Sequence, residues 1–511
     1  MQDMQEQPNP LLKFFPQSFS IKTPRTIQVD TLNWIWYTLK HSNKISICLP
    51  TGSGKSVLGY TFMQFSKSLA QNSLYLSPLN TLVYQMRDSD FFDGKTLTGR
   101  KNYPCKSGKE NCSVGYCTQD ECAKDKDVRT CDICEEACGC KSCVYRVAFK
   151  AFRMSELSNT NLSLFLLGIT NKPDVVIIDE ADYSEEFIRL MNSITLKFEL
   201  NSDFNIALEQ LREYNKELLE EYQVLKSKES SQKEVSGVQK LMDSIDFLIS
   251  DYTSHKEPWV ISKYKTKKGE IRSKIEPITC DRFLEPLLEK LTVIKMSATL
   301  QPEPGYEYFE SPSPFPKEIR QWKYEPLGRM SLKYREKTIP KLAYFLSNLK
   351  GKTLVHCNSY RVAENTAYAL RRLNKYPLLQ TVDGDEMLDQ ETVSRYDAVN
   401  AFKSAIDPNK ILLSVNLNRG VDFPESNIIN NVIAVVPFPN PTEPLTVAKN
   451  NLLGKDWQNK KIAQTITQSY GRVNRNADKI TITYIVDSNF GWWFRDNKKL
   501  FPNFFLEAQL P

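Results

Sequence analysis

A short glycine-containing turn that follows an apolar strand constrains this chain of 511 residues more than any other feature. Residues 45–49 read Ile-Ser-Ile-Cys-Leu, which predicts a buried strand, and Thr51-Gly-Ser-Gly-Lys55-Ser56 follows after Pro50. A turn of this kind aims backbone amides and the start of a helix at an anion. We expect Lys55 to reach the β- and γ-phosphates of a nucleoside triphosphate and Ser56 to bind Mg²⁺. Further phosphate contacts are predicted from Thr51, Gly52, Ser53 and Gly54.

An acidic pair supplies the partner that this turn needs. Asp179 and Glu180 directly follow the apolar residues 175–178, so they are predicted to lie at the carboxyl edge of a sheet. There Asp179 can hold Mg²⁺ through water, and Glu180 can orient and deprotonate an attacking water. An isolated acidic pair after a strand is more often a solvated turn. Together with Lys55 it predicts a site that hydrolyses a nucleoside triphosphate.

A third set of polar residues lies near the C-terminus, in the segment Gln468-Ser-Tyr-Gly-Arg472-Val-Asn-Arg475. Arg472 and Arg475 are three residues apart, which places both guanidinium groups on one face of a helix and lets them point at one phosphate. An Arg-x-x-Arg pair by itself is usually a solvated face. The glycine before Arg472 and the glutamine ahead of it fit a fuller pattern.

Apolar runs and amphipathic stretches alternate along the chain, which predicts an α/β fold with parallel sheets in two lobes. Residues 204–249 differ, because apolar residues recur there at helical spacing on both sides of a polar stretch. They predict a hairpin of two helices, whose simplest interpretation is a packed insertion without chemistry. The predicted strands are 45–49, 73–76, 175–178, 293–296, 353–356, 411–415, 432–436 and 480–486.

Composition excludes some classes of protein. No apolar run reaches the roughly 18 residues that a membrane helix needs, and the N-terminal ten residues are polar and acidic rather than basic and then apolar. We therefore expect no membrane association and a cytoplasmic location. The net charge of +6 permits a nucleic-acid partner without requiring one.

Cysteines are concentrated in one segment: nine of the twelve lie between Cys105 and Cys143. In a reducing compartment, clustered thiols more often hold a metal than form disulfides. One arrangement is a zinc knuckle formed by Cys131, Cys134, Cys140 and Cys143, with a second site at Cys105, Cys112, Cys117 and Cys122. The cysteines outside the segment, which are expected to be buried and inert, are Cys48, Cys280 and Cys357.

The order of the motifs resembles that of superfamily two helicases. The matching segments are Arg25-x-x-Gln28, the 51–56 turn, Ser77-Pro-Leu-Asn80, the Asp-Glu-Ala-Asp box at 179–182, Ser297-Ala-Thr299, Gly420-Val-Asp422 and the 468–475 segment. The flanks of the cysteine segment, Gly99-Arg-Lys-Asn-Tyr-Pro-Cys105 and Cys143-Val-Tyr145, are similar to those of the iron-sulfur domain in XPD and DinG helicases. Asp182 stands where relatives more often have histidine. The 114 residues between Asp182 and Ser297 exceed the short connection of a DEAD-box RNA helicase.

This resemblance implies an α/β fold of two RecA-like P-loop lobes, with an inserted cysteine-rich iron-sulfur domain and an inserted helical arch domain. The first lobe would comprise 1–100, 151–190 and 276–325, interrupted by the metal domain at 101–150 and the arch-like insertion at 191–275. The second lobe would comprise 326–511.

The same resemblance implies an ATP-dependent DNA helicase that acts as a monomer, translocates on single-stranded DNA from 5′ to 3′ and unwinds forked DNA. Arg25 and Gln28 would contact the adenine side, while Gly420 and Asp422 would lie at the second-lobe edge of the nucleotide. Arg472 and Arg475 would stabilise the transferring phosphoryl group, and Gln468 would position water. Two alternatives remain: an RNA helicase or remodelling ATPase, and a zinc-bearing nucleic-acid binding protein without motor activity.

The implied cofactors are ATP, Mg²⁺ and a 4Fe–4S cluster, which needs four thiolates. The resemblance of the flanks implies that Cys105 and Cys143 are two of the four ligands. Cys134 and Cys138 are the inner pair whose spacing is most like that of DinG. Alternative inner ligands are Cys112, Cys117, Cys122, Cys131 and Cys140.

Two aromatic segments are candidates for contact with a nucleic acid. Residues 256–274 combine Trp259 and Tyr264 with several basic residues, a composition suited to stacking bases and holding phosphates. An exposed hairpin with its turn at 267–270 explains the same residues equally well. The aromatic run 492–494 is more typical of core packing.

Overall fold

The computed structural model has the α/β fold predicted from the sequence. The residues that the structure describes are 9–18, 21, 23–104, 143–170, 172–228, 232–255, 258–266, 269–380, 392–393, 395–415, 417, 423, 428–473 and 479–510. They divide into two compact units. The first contains Met1–Thr61, Ile294–Pro439 and Lys455–Pro511, and the second contains Phe62–Val293 and Asn440–Gly454.

Helices and strands alternate through most of the described chain. The helices are α1 Thr26–Thr38, α2 Lys55–Ser68, α3 Asn80–Arg87, α4 Val144–Arg153, α5 Leu162–Leu166, α6 Ser184–Met191, α7 Phe204–Ser227, α8 Gln232–His255, α9 Asp281–Leu288, α10 Arg335–Asn348, α11 Tyr360–Arg371, α12 Arg395–Ser404, α13 Pro444–Leu453, α14 Asp456–Tyr470, α15 Asn489–Asn497 and α16 Asn503–Leu506. The strands are β1 Lys44–Cys48, β2 Ser73–Ser77, β3 Lys95–Leu97, β4 Leu157–Asn161, β5 Val175–Asp179, β6 Ile194–Leu196, β7 Trp259–Lys265, β8 Ile271–Pro277, β9 Thr292–Ser297, β10 Glu307–Glu310, β11 Arg320–Gly328, β12 Lys352–His356, β13 Leu378–Gln380, β14 Thr392–Val393, β15 Ile411–Ser414, β16 Ile428–Ile433 and β17 Thr481–Asp487.

The strands form two seven-stranded parallel sheets and one three-stranded antiparallel sheet. The first unit contains the whole second sheet, in the order β11-β17-β16-β12-β15-β13-β14, and the parallel pair of β1 and β10. The second unit contains the parallel strands β5, β2, β4 and β3, in that order, and the antiparallel sheet β6-β8-β7. A parallel sheet needs cover on both faces, which explains why strands such as β5 read as continuous apolar runs.

Helices cover both faces of the second sheet. Side chains of α10 and α11 pack against one face, which includes Val355 of β12. Ala398, Val399 and Phe402 of α12 pack against the other face, which includes Leu354. Adjacent residues of one strand therefore pack into cores on opposite faces of the sheet, because successive side chains of a strand point to opposite faces. All eight strands predicted from the sequence are present, with ends shifted by a few residues.

Strand β4 was not predicted, because its sequence Leu-Ser-Asn-Thr-Asn is mostly polar, yet every residue of it is buried. Hydrogen bonds to neighbouring segments compensate for this burial. Asn159 donates from Nδ2 to the carbonyl of Val83 at 2.8 Å, and the Thr160 hydroxyl donates to the carbonyl of Leu97 at 2.7 Å. The polar side chains of β4 thus tie it to its neighbours.

The predicted helical hairpin is present as α7 and α8, each of 24 residues. Asp203 caps α7 by accepting hydrogen bonds from the backbone amides of Asn205 and Ile206. Apolar residues of both helices share one core with the antiparallel sheet. The core includes Leu211, Leu218, Ile245 and Leu248. This packing explains the apolar stripes that the sequence shows at 204–249.

Within the basic and aromatic segment at 256–274, β7 and β8 pair as an antiparallel hairpin, as the alternative expected, but β8 is largely buried rather than exposed. Residues 267 and 268 of the predicted turn lie outside the described residues. Trp259 is buried, and its indole Nε1 donates to the Asp251 carboxylate at 2.9 Å, while Arg282 pairs with the same carboxylate at 2.8 Å. The suggestion that Trp259 stacks on bases is therefore wrong, although Tyr264 is exposed. In the aromatic run, Trp493 and Phe494 are buried as expected, whereas Trp492 is exposed, so the expectation of core packing is wrong for Trp492. No helix in the described ranges combines the length and the apolar character needed to cross a membrane.

Candidate functional site

The glycine turn after β1 has the geometry of a phosphate cradle. Gly52 and Gly54 have φ of 82° and 84°, in the region that favours glycine. Helix α2 begins at Lys55, so its first amides face the turn. The Ser53 hydroxyl is fully buried and has no hydrogen-bond partner in the described part of the chain. A turn with positive-φ glycines, a helix start and a polar group without a partner fits a bound phosphate.

Arg25 and Gln28, at the start of α1, support this turn directly. Arg25 donates from Nη1 to the carbonyl of Gly52 at 2.7 Å, and Gln28 donates from Nε2 to the carbonyl of Ser53 at 3.0 Å. The Gln28 side-chain oxygen accepts the backbone N–H of Arg25 at 2.9 Å, which fixes the amide. A Cβ on Gly54 would lie 2.4 Å from Gln28 Nε2. The two side chains thus hold the turn in shape, and their contact with adenine stays a prediction.

The 468–475 segment and the Ser297-Ala-Thr299 segment both belong to the first unit, as the turn does. Gln468 is buried near the end of α14 and donates from Nε2 to the Thr299 hydroxyl at 3.2 Å. Gly471 lies so close to the turn that a Cβ on it would be 2.7 Å from Thr51 Oγ1. Residues from three distant parts of the chain therefore meet at the phosphate turn.

Several predicted site residues lie outside the described residues. Arg472 is described and partly buried, whereas Arg475, Gly420 and Asp422 are not described. The roles predicted for these residues stay predictions. Ser56 follows Lys55 in the first turn of α2, as the motif requires.

The acidic pair belongs to the second unit and ends β5. Asp179 is the last residue of the strand and is 5% exposed. Glu180 has φ of 50°, a left-handed conformation that is uncommon for a residue other than glycine. Its backbone N–H donates to Asp179 Oδ1 at 3.0 Å. The chain therefore turns sharply at Glu180, at the carboxyl end of a parallel strand, where ligand sites of α/β sheets usually lie.

The helix after the acidic box is tied to a later segment of the same unit. Glu185 of α6 forms an ion pair with the buried Lys449 of α13, and α13 also packs next to β7. Pairing of a buried lysine with a carboxylate offsets the cost of its desolvation. This contact anchors the segment 440–454 near the start of α6.

The two flanks of the cysteine segment lie side by side. The rings of Tyr103 and Tyr145 meet edge to face with centroids 5.4 Å apart, and Arg100 lies over the Tyr145 ring at 5.2 Å. Cys143 is buried and occupies the N-cap position of α4. The other predicted ligands, Cys105, Cys134 and Cys138, and all five alternatives lie outside the described residues. Within the described ranges, no group of three or more His, Cys, Asp or Glu side chains could hold a metal.

The cysteines predicted to be inert are buried: Cys48, Cys280 and Cys357. Burial raises the pKa of both the Cys280 and the Cys357 thiol to about 12. At neutral pH these thiols stay protonated and therefore react slowly.

A buried polar pair close to Arg472 was missed by the sequence reasoning. His356 ends β12, and its Nε2 lies 3.0 Å from Oδ1 of Asn431 in β16. Burial lowers the pKa of His356 to about 4, the hydrogen bond with Asn431 opposes this shift, and the charge of Arg472 adds to it. A histidine inside the predicted strand 353–356 and an asparagine directly before the predicted strand 432–436 were the available signal, because such residues need partners when buried.

Comparison with known proteins gives a partial match in sequence and a broader match in fold. Residues 342–506 match the family model of the helicase C-terminal domain. A search of curated proteins returned no significant match. The structure of Xpd4 from S. tokodaii aligns with a TM-score of 0.56 and 13% identity, covering 95% of this chain and 99% of that one.

Two weaker structural matches have TM-scores below 0.5. S. cerevisiae Dbp5 bound to RNA and ADP BeF3 aligns with a TM-score of 0.43 and 14% identity, covering 98% of this chain and 93% of that one. The Mycobacterium smegmatis helicase Lhr bound to ssDNA and AMP-PNP aligns with a TM-score of 0.39 and 12% identity, covering 94% of this chain and 47% of that one. The chain therefore shares the overall fold of Xpd4, and its residues 342–506 are similar to the helicase C-terminal domain.

Proposed function

We propose that this protein is a superfamily two helicase that hydrolyses ATP, translocates on single-stranded DNA from 5′ to 3′ and unwinds forked DNA as a monomer. The observation that carries the proposal is the meeting of Thr51, Thr299, Gln468 and Gly471 in the first unit. A helicase C-terminal segment that touches a phosphate turn can sense the nucleotide there. The polarity, the DNA substrate and the domain boundaries rest on the resemblance to XPD and DinG.

In the proposed reaction, the protein positions ATP and water and stabilises charge. Lys55 and the first amides of α2 would bind the β- and γ-phosphates, and Ser56 and Asp179 would hold Mg²⁺, which supplies positive charge beside the phosphates. Glu180 takes a proton from the attacking water while Gln468 orients that water. The water oxygen forms a bond to the γ-phosphorus as the bond between the γ-phosphorus and the ADP oxygen breaks, which yields ADP and phosphate. Arg472 and Arg475 stabilise the charge on the transferring phosphoryl group.

Stimulation of ATP hydrolysis by nucleic acid tests the motor. We expect single-stranded DNA to raise the ATPase rate, and RNA of the same sequence and length to raise it much less. A coupled assay with matched DNA and RNA oligonucleotides measures both, and a forked DNA with a labelled strand measures unwinding. Greater stimulation by RNA would favour an RNA helicase. Absence of any ATPase would favour a binding protein without motor activity.

We also propose that Cys105, Cys134, Cys138 and Cys143 hold a 4Fe–4S cluster, which would give rigidity to the inserted cysteine segment. The support from the described residues is the position of Cys143, buried where the two flanks meet. Thiolates in a cytosolic protein suit an iron-sulfur cluster. The remaining ligands come from the resemblance to DinG.

Iron content tests the cluster. Protein purified without oxygen should be brown and contain about four irons per chain. Cys143→Ser should lose iron, since serine suits the N-cap of α4 but is a poor cluster ligand. Cys357→Ser is the matched control, because Cys357 is also buried but lies in the second sheet region. Wild-type protein that is colourless and contains zinc would contradict the iron-sulfur cluster and favour a zinc site.

A further inference from the structure

Helix α14 ends in a turn from which Arg472 emerges, and one carbonyl organises this turn. The Ser469 carbonyl accepts the backbone N–H of Arg472 at 3.3 Å and also the side-chain amide of Asn431, from Nδ2, at 3.0 Å. Carbonyls in the last turn of a helix lack partners within the helix, so side chains often satisfy them. Asn431 therefore binds the very carbonyl that fixes the backbone of Arg472.

The amide of Asn431 has one well-defined orientation. Asn431 is fully buried in β16, and its Nδ2 also lies 3.2 Å from the hydroxyl of Thr483 in β17. Its Oδ1 faces His356 Nε2 at 3.0 Å. Because Nδ2 donates to Ser469, Oδ1 must accept from the imidazole, so the proton of the neutral imidazole lies on Nε2. A reversed amide would place Oδ1 against the Ser469 carbonyl, so that two acceptors would face each other.

The charge state of the imidazole suits this arrangement. The low pKa of His356 keeps the ring neutral at physiological pH, so it does not repel the guanidinium group of Arg472. The charge of Arg472 lowers the pKa of His356 further, as expected for two groups that lie close together. Apolar residues surround the pair in its strands, including Leu354 and Ile433. An apolar pair would fill the same space without this hydrogen-bonded link to α14.

We propose that His356 and Asn431 are positioning residues for Arg472: the imidazole orients the Asn431 amide, and the amide fixes the turn that presents the guanidinium group to the nucleotide. This inference rests on the proposed function, in which Arg472 stabilises the transferring phosphoryl group. Arg472 would act in the transition state, so loss of its position should lower kcat for ATP and leave KM nearly unchanged.

Paired variants test the proposal against a purely structural role. Asn431→Leu and His356→Leu should each lower kcat about tenfold or more with KM within about twofold. His356→Gln should retain most of kcat, since the glutamine amide can donate to Asn431 Oδ1. The matched control is Asn430→Leu, because Asn430 is the adjacent buried amide but bonds to the Lys350 carbonyl and Thr353, away from α14. The Asn430→Leu variant should lower the melting temperature about as much as Asn431→Leu does and leave kcat unchanged.

Equal kcat values for Asn431→Leu and Asn430→Leu would overturn the proposal, as would failure of His356→Gln to exceed His356→Leu. A second measurement does not need activity. The chain has three histidines, so the imidazole of His356 can be followed by NMR in protein with labelled histidine. Arg472→Gln should raise the pKa of His356, and an unchanged pKa would show that Arg472 is not held beside it. Absence of wild-type ATPase would contradict the proposed function, whereas the NMR result addresses the positioning alone.

Discussion

Replacement of Lys55 by alanine is expected to lower kcat/KM for ATP hydrolysis by about 100-fold or more while the protein stays folded. Lys55 is the first residue of α2 and follows the positive-φ Gly54. Its ammonium group is proposed to neutralise charge on the β- and γ-phosphates, which no neutral side chain can do. Alanine is the best helix former, so α2 should still begin at this position.

The matched control for this experiment lies on the same helix. Lys67 is in the last turn of α2, and its ammonium group lies 3.6 Å from the Glu156 carboxylate in a partly exposed pair. Exposed pairs of this kind contribute little to stability. Lys67→Ala should therefore keep wild-type ATPase. DNA-stimulated hydrolysis and circular dichroism should be measured for both variants, and wild-type hydrolysis by Lys55→Ala would contradict the assignment of the phosphate turn.

Gly471→Ala is expected to lower kcat by about 10- to 100-fold with little loss of stability, because a displacement of about 1 Å at a reacting centre has effects of this size. The backbone of Gly471 has φ of −70°, which any residue adopts, so the effect does not arise from backbone strain. It arises from the close approach to Thr51, since the new methyl group would lie 2.7 Å from Thr51 Oγ1. Either the 468–475 segment or the phosphate turn must move.

A double-mutant cycle isolates this contact. Thr51→Ala removes Oγ1 and leaves only the Thr51 Cβ, 3.5 Å from the added methyl group, which is ordinary contact. Gly471→Ala should therefore cost much less in the Thr51→Ala background than in the wild type. Gly237→Ala is the control, because a Cβ on this glycine of α8 meets nothing within 4 Å. Additive effects of Gly471→Ala and Thr51→Ala on kcat would refute the contact between the two segments.

Much of the fold could be predicted because its signals are local. The strands predicted from the sequence are mostly apolar runs, and the helical hairpin shows its period in consecutive residues. Strand β4 escaped prediction because its buried residues are polar and obtain their partners from other segments, such as Val83 and Leu97. Trp259 was misassigned for a related reason: only the folded chain brings Asp251 and Arg282 to it.

The candidate site likewise has parts that the sequence predicted and parts that only the structure shows. The phosphate turn, the acidic pair and the 468–475 segment are each compact in sequence, so the residue types and spacing alone predicted them. The support that Arg25 and Gln28 give to the turn was not predicted, since a sequence does not show which backbone carbonyls a side chain meets. The described residues include Lys55, Asp179, Glu180, Gln468 and Arg472, whose chemical roles remain predictions.

The sequence by itself determined the α/β class, eight of the strands and the chemistry available at the phosphate turn, because these follow from neighbouring residues. Only the tertiary structure decided which distant residues meet. Gln468 and Thr299 are 169 positions apart and share a hydrogen bond. His356, Asn431 and Ser469 are likewise joined through the core of the second sheet. Such contacts depend on how strands are ordered in a sheet and which helix covers them, and no local period in the chain records that order.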